Sequence, residues 1–233
     1  MGNKLYIIPT WLSDDAIHVI PAYVIDIINS LDEFVVENEK SARQFLKKAG
    51  YKKPLQEVLF HLLNEHTRPV EIRELIKPLL EGKNIGLLSE AGCPGIADPG
   101  AELVQAAHKN NIAVIPLAGT SSVILSLMAS GLNGQSFSFA GYIPKERMAR
   151  IKALKEMEKI AVTKNQTQIF IEAPYRNQHL LDDILQNCNQ DTMLCIACEI
   201  TGANEFIKTK SIHEWKKKIP EINKRPAIFL IGR

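Results

Sequence analysis

Ile85-Gly86-Leu87-Leu88-Ser89-Glu90-Ala91-Gly92-Cys93-Pro94-Gly95-Ile96-Ala97-Asp98-Pro99-Gly100 is the stretch that decides the fold. It begins as an apolar strand-length run, Ile85–Ser89, and passes into a loop rich in glycine and proline. A helical pattern follows over Ala101–Asn110, then a second apolar run at Ile112–Leu117. A small-residue turn leads into a further helix, Ser121–Ser130. Strand, helix, strand, helix at this spacing predicts βαβ units and a mostly parallel sheet with helices on both faces.

Working outward, Leu5–Ile8 reads as a buried strand stopped by Pro9, and Glu33–Val36 as another. Asp14–Leu31 carries apolar residues at helical spacing but contains Pro21, which predicts a kink or restart there. Glu39–Ala49 is an amphipathic helix ending at Gly50. Leu55–Leu63 fits strand or helix. Thr67 is a suitable N-cap for a helix over Val70–Leu80, with Gly82 after it. Phe137–Ala140 adds a short strand. Beyond Gly141-Tyr142-Ile143-Pro144 come a charged helix (Lys145–Ala161) and a strand (Thr167–Ile171). A helix (Arg176–Asn187), two strands (Met193–Ala197, Phe206–Thr209), a short helix (Ile212–Lys217) and a last strand (Ala227–Ile231) complete the pattern. That half reads as α+β with a mixed or antiparallel sheet. The expected division is therefore 1–142 and 143–233, two α/β lobes.

Composition agrees with this. The 233 residues are 45% hydrophobic and 23% charged, which excludes intrinsic disorder as the main state. The net charge of +2 excludes a strongly basic nucleic-acid binder. The charge is uneven, with 12 basic and 15 acidic residues in 1–144 against 16 and 11 in 145–233. No apolar run approaches the roughly 18 residues of a membrane span, and Lys4–Pro9 is no signal peptide, so a cytoplasmic location is expected. Reduced cysteines follow from that compartment. Cys195-Ile196-Ala197-Cys198 has metal or redox spacing but sits in a strand-like run without a second pair, and reads as buried thiols. The six histidines share no metal-ligand spacing, so no metal is expected.

Three loops carry chemistry. The Ser89–Gly100 loop follows a strand, where ligands of open α/β sheets bind. Its glycines admit close backbone approach, its prolines limit the entropy lost on binding, and Glu90 and Asp98 offer acceptors to ribose hydroxyls or an amine. The alternative is a chain-reversing turn. Neither a dinucleotide fingerprint nor a P-loop is present. Pro116–Ser122 again follows a strand and opens a helix; Ser121 and Ser122 there suit a carboxylate or other anion, or serve as an ordinary cap. Phe170–Arg176 places Glu172 at a strand end, as part of a polar site or of a salt bridge to Arg176. Lys216-Lys217-Lys218 reads as a solvated helix face.

Together these segments resemble the class III, tetrapyrrole-methylase-like family of S-adenosylmethionine-dependent methyltransferases. Within it they are most similar to the branch that methylates a cytidine ribose 2′-hydroxyl in small-subunit ribosomal RNA. The matching pieces are Leu5–Thr10, Ser89–Gly100, Val114–Ser122, Ala129–Leu132, Phe139–Pro144, Ile169–Arg176 and Pro226–Gly232. The resemblance implies a homodimer of two-lobed chains, with S-adenosylmethionine held in the cleft between the lobes. It implies that Pro9 lines the cofactor floor and that Ala91, Gly92, Cys93 and Ile96 hold the cofactor by backbone and apolar contact. Ser121 and Ser122 would hydrogen-bond it, and Glu172, Pro226 and Ala227 would close over the adenine side. Glu90 and Asp98 are the candidate catalytic carboxylates, and Lys145, Arg147, Arg150, Lys152 and Lys155 the candidate basic mouth of the cleft.

Three segments depart from the branch. Ile8-Pro9-Thr10-Trp11-Leu12-Ser13 replaces Thr-Pro-Ile-Gly-Asn-Leu, Glu37-Asn38-Glu39-Lys40 replaces Glu-Asp-Thr-Arg, and Cys198-Glu199-Ile200-Thr201-Gly202 replaces Arg-Glu-Leu-Thr-Lys. The expected function is methyl transfer to ribosomal RNA. The alternatives are a small-molecule methyltransferase, for instance of a tetrapyrrole precursor, and a non-catalytic cofactor-binding homologue.

Overall fold

The computed structural model describes residues 3–64 and 66–233. The chain forms two compact units, Met1–Ser121 and Ser122–Arg233.

The first unit runs β1 (Lys4–Ile8), α1 (Ala22–Ser30), β2 (Glu33–Val36), α2 (Glu39–Lys48), β3 (Leu59–Leu62), α3 (Pro69–Leu75), α4 (Lys77–Leu80), β4 (Ile85–Leu88), α5 (Gly100–Lys109) and β5 (Ala113–Pro116). All strand pairs are parallel, in the order β3-β2-β4-β1-β5. The chain steps one way across the sheet from β1 to β3 and back from β3 to β5. Right-handed crossovers therefore put the outgoing helices on one face and the returning ones on the other. The cores show this: Val24, Ile28, Phe45 and Leu46 of α1 and α2 pack with Phe34, Val36 and Leu88. Ile72, Leu79, Leu103 and Ala107 of α3 to α5 pack with Leu5, Val35 and Leu87. Neighbouring residues alternate faces, as the two-residue strand period requires. Gly86 fills its place because the side chains of Ile8 and Phe34 occupy the space a Cβ would need, 2.7 Å from each.

Local chemistry explains the boundaries. The expected restart at Pro21 is present, with Pro21 as the residue before α1. Asn38 caps α2 by accepting the N–H groups of Lys40 (2.9 Å) and Ser41 (3.3 Å). The ambiguous 55–63 stretch contributes β3. The single helix expected over Val70–Leu80 is instead two, broken at Ile76, because Pro78 has no N–H to continue the ladder. Thr67 is not its cap. Arg68 takes that position, and the Thr67 hydroxyl accepts the Asn64 N–H (2.9 Å).

The second unit runs α6 (Ser122–Ser130), β6 (Phe137–Tyr142), α7 (Arg147–Lys164), β7 (Thr167–Ile171), α8 (Asn177–Asn187), β8 (Met193–Cys198), β9 (Phe206–Ser211), α9 (Ile212–Lys217) and β10 (Ala227–Gly232). The strand order is β6-β7-β10-β8-β9, with only β6 and β7 parallel. One face packs on α7, α8 and α9 around Leu154, Phe170, Leu181, Ile184, Trp215 and Phe229. The Trp215 indole N–H donates to the Leu194 carbonyl (2.9 Å), which satisfies its one polar atom inside the core. α6 packs against β9 and β10, and the Thr209 hydroxyl donates to the Ser130 carbonyl (2.6 Å).

The boundary between units thus falls at Ser121/Ser122, where the sequence reading put it at 142/143. β6 pairs with β7, and α6 packs on the same sheet, so both belong to the second unit.

Candidate functional site

Every strand of the first sheet points the same way, so the segments after β1, β2, β4 and β5 gather at its carboxyl edge. Pro9 and Thr10, after β1, are buried. The Thr10 N–H donates to the Gly92 carbonyl (2.9 Å), and its hydroxyl to the Ser89 carbonyl (3.3 Å). The Thr120 hydroxyl donates to the Thr10 carbonyl, and the Cys93 thiol to the Thr120 carbonyl (3.2 Å). Three loops separate in sequence are thereby tied into one surface. Two backbone positions require glycine. Gly92 sits at φ +80°, and a Cβ on Gly119 would collide with the Pro9 ring.

Of the residues singled out in the Ser89–Gly100 loop, Ala91 and Ile96 are exposed, Gly92 is buried and Cys93 half-buried. Burial pushes the Cys93 thiol pKa up, which keeps it a neutral donor. Ser121 hydrogen-bonds Cys93. Ser122 begins α6 and is the first residue of the second unit.

The two candidate carboxylates differ in setting. Asp98 accepts the N–H groups of Gly95 (2.6 Å) and Gly100 (2.8 Å), so it folds the loop. Burial raises its pKa against those two bonds. Glu90 is exposed, and its carboxylate accepts the Ser41 hydroxyl (3.3 Å). Its N–H donates to Glu37 (3.1 Å). Burial raises the Glu37 pKa, and the nearby Asp98 and Glu90 charges add to that.

Ser89 and Thr120 lie inside loops singled out from the sequence, and Thr10 inside a matching piece, without roles of their own; Glu37 stands only in a segment that departs from the branch. The signal for Glu37 was available, since it directly follows β2 at the edge that selected the other loops.

In the second unit, Glu172, Pro226 and Ala227 lie at one end of the sheet. Ile228 faces Ile171, Ala227 faces Cys198, and the Glu199 N–H donates to the Pro226 carbonyl (2.9 Å). The Glu172 side chain is fully buried. It accepts the Ala173 N–H (2.7 Å) and pairs with Arg176, which is the salt bridge weighed as the alternative.

Two residues expected at a basic mouth are engaged elsewhere. Arg150 is buried and donates two hydrogen bonds to Asp183 Oδ2 (2.9 and 2.7 Å), while Arg147 donates to Oδ1 (3.0 Å). Both guanidiniums thus fasten α7 to α8. Cys195 and Cys198 are buried free thiols, the latter pushed up to about 11 by burial. Among the described residues no group of three or more histidine, cysteine or acidic side chains forms a metal site, and no helix is long and apolar enough to cross a membrane.

Comparison with known proteins fits this arrangement. The family model for tetrapyrrole (corrin/porphyrin) methylases matches residues 19–215. The ribosomal RNA small subunit methyltransferase I of Halalkalibacterium halodurans is 37% identical over 158 residues, covering 68% of this chain and 52% of the relative. The enzyme of the same name from Vibrio cholerae is 32% identical over 221 residues, covering 95% and 73%. That from Escherichia coli O157:H7 is 29% identical over 232 residues, covering 98% and 77%. The chain thus spans about half the length of the first relative and about three quarters of the other two. The crystal structure of the methyltransferase CobJ shares the fold, with a TM-score of 0.65 at 14% identity over 100% of this chain and 95% of that one. With most of its length matched by the family model and by relatives of one name, the chain belongs to the tetrapyrrole (corrin/porphyrin) methylase family and is a methyltransferase.

Proposed function

We propose that the protein transfers a methyl group from S-adenosylmethionine to a ribose 2′-hydroxyl of small-subunit ribosomal RNA. The observation that carries the reading is the surface sewn together by Thr10, Ser89, Gly92, Cys93 and Thr120, in a chain whose relatives bear the name of a ribosomal RNA methyltransferase. The surface suits a folded cofactor. Gly92 and Gly119 keep side chains off the backbone, and exposed Ala91 and Ile96 supply apolar contact. Pro9, Ala91, Gly92, Cys93 and Ile96 hold the cofactor from this unit, with Ser121 and Ser122 bonding its methionine carboxylate at the start of α6. The resemblance assigns the adenine side to Glu172, Pro226 and Ala227.

The bound cofactor supplies an electrophilic methyl group, so the chain's task is to position donor and acceptor and to take the hydroxyl proton. Glu90 is the better placed of the two carboxylates for that proton, because Asp98 is occupied in folding the loop. The homodimer and the cytoplasmic location implied by the resemblance belong to the same proposal.

Calorimetric titration with S-adenosylmethionine, followed by RNA binding over a salt series, tests the reading. Cofactor binding with a salt-dependent RNA affinity is expected. Cofactor binding without RNA affinity would favour a small-molecule acceptor, and no cofactor binding would reject the reading altogether. Glu90→Gln is expected to cut turnover and leave cofactor affinity unchanged.

A further inference from the structure

The turn after β7 carries a feature that the methyl-transfer reading does not use. Tyr175 lies in a tight turn, Pro174–Arg176, and is 61% exposed although it is a large aromatic side chain. The ring is held in place. The Arg176 guanidinium lies over it, 5.0 Å from the ring centroid, and donates to its hydroxyl (3.0 Å). That guanidinium is itself anchored on buried Glu172. The turn is fixed at both ends: the Arg176 N–H donates to Ala173 (2.8 Å), and the Lys224 N–H donates to Pro174 (2.9 Å).

The residues in and flanking this turn carry buried polar atoms with no partner. Glu172 Oε2, Asn177 Oδ1 and Arg176 Nε have none, although Glu172 is 4% exposed and Asn177 is fully buried. An unpaired buried carboxylate oxygen is costly and calls for an explanation. A rigid, exposed aromatic face backed by a guanidinium suits stacking of a flat heterocycle.

We propose that Tyr175, backed by Arg176, is a stacking platform for a nucleobase. The inference rests on the nucleic-acid reading above, which provides two sources of such a base, the acceptor RNA and the adenine of the cofactor.

The test compares Tyr175→Ala, Tyr175→Phe and wild-type protein in binding single-stranded RNA at several salt concentrations and in binding S-adenosylmethionine. Because the ring is exposed, all three should melt at closely similar temperatures. Loss of a stacked base is expected to weaken one ligand roughly 5- to 150-fold in the alanine variant, with phenylalanine retaining most of the affinity. If RNA is the source, the slope of log affinity against log salt stays unchanged, because stacking releases no counterions. If the cofactor is the source, its affinity alone falls. Unchanged affinity for both ligands in Tyr175→Ala overturns the platform, as does a loss explained by a shallower salt slope. Wild-type protein that binds neither ligand overturns the proposed function as well, and so is told apart from failure of the platform alone.

Discussion

The two sheet ends solve opposite problems. At the carboxyl edge of the parallel sheet, hydroxyls, a thiol and backbone groups of three loops satisfy one another, and glycine keeps the backbone uncovered. At the Glu172 end of the mixed sheet, side chains are held by ion pairs, and four buried atoms, Glu172 Oε2, Arg176 Nε, Asn177 Oδ1 and Thr201 Oγ1, have no partner. Three non-glycine residues there, Glu199, Thr201 and Lys224, also adopt positive φ, at +49°, +70° and +59°. For a β-branched threonine this is a strained conformation. The first edge has one such positive-φ residue, Ala97 at +61°, and its three tied loops satisfy one another, while the second carries the cost of unpaired atoms. Neutral hydrogen bonds thus tie the three loops together at the first edge, whereas at the second the Glu172–Arg176 and Glu199–Arg225 ion pairs hold the side chains.

Breaking the charged unit should have the largest effect. Asp183→Ala leaves Arg150 buried without its partner and is expected to cost about 3–5 kcal/mol, seen as a large fall in unfolding midpoint. A change confined to a few tenths of a kcal/mol would show that Asp183 does not anchor α7. Next comes the neutral edge. Gly119→Ala drives a Cβ into the Pro9 ring and is expected to cost roughly 1–3 kcal/mol, together with cofactor affinity, because two loops must separate. Calorimetry that finds normal affinity would show the contact to be slack.

The smallest effect concerns Glu37. Its folded pKa is raised, so its ionised form is disfavoured in the folded state. That penalty is absent below the unfolded pKa and grows as pH rises through the folded one. Glu37→Gln keeps an oxygen for the Glu90 N–H without the charge. The variant should be more stable at pH 7, with the difference vanishing below the ordinary carboxylate range, about pH 4. A variant that gains stability equally at both pH values would contradict the assignment.

The same contrast marks how far the sequence could be read. The parallel unit was legible because its strands are short apolar runs separated by helical periodicity and punctuated by glycine and proline. The loops chosen from it do meet. The unit boundary was not legible from charge, because residues 122–144 contain no charged side chain at all. The change of sign at Lys145 therefore marks the next charged residue, while strand pairing decides where β6 belongs. The break at Ile76 follows from Pro78, a signal present but outweighed by the apolar spacing around it. Arg150 reads as an exposed basic residue on a charged helix, since its partner Asp183 lies 33 residues away. The unpaired atoms at the Glu172 end depend on tertiary packing and leave no sequence trace.

The central claim is that this chain moves a methyl group onto ribosomal RNA. The most direct measurement is transfer of a labelled methyl group from S-adenosylmethionine to small-subunit particles that lack the modification. Label is expected on the RNA, at a ribose 2′-oxygen, and is expected to be lost with Gly119→Ala. Tight cofactor binding with no label on the RNA would contradict it.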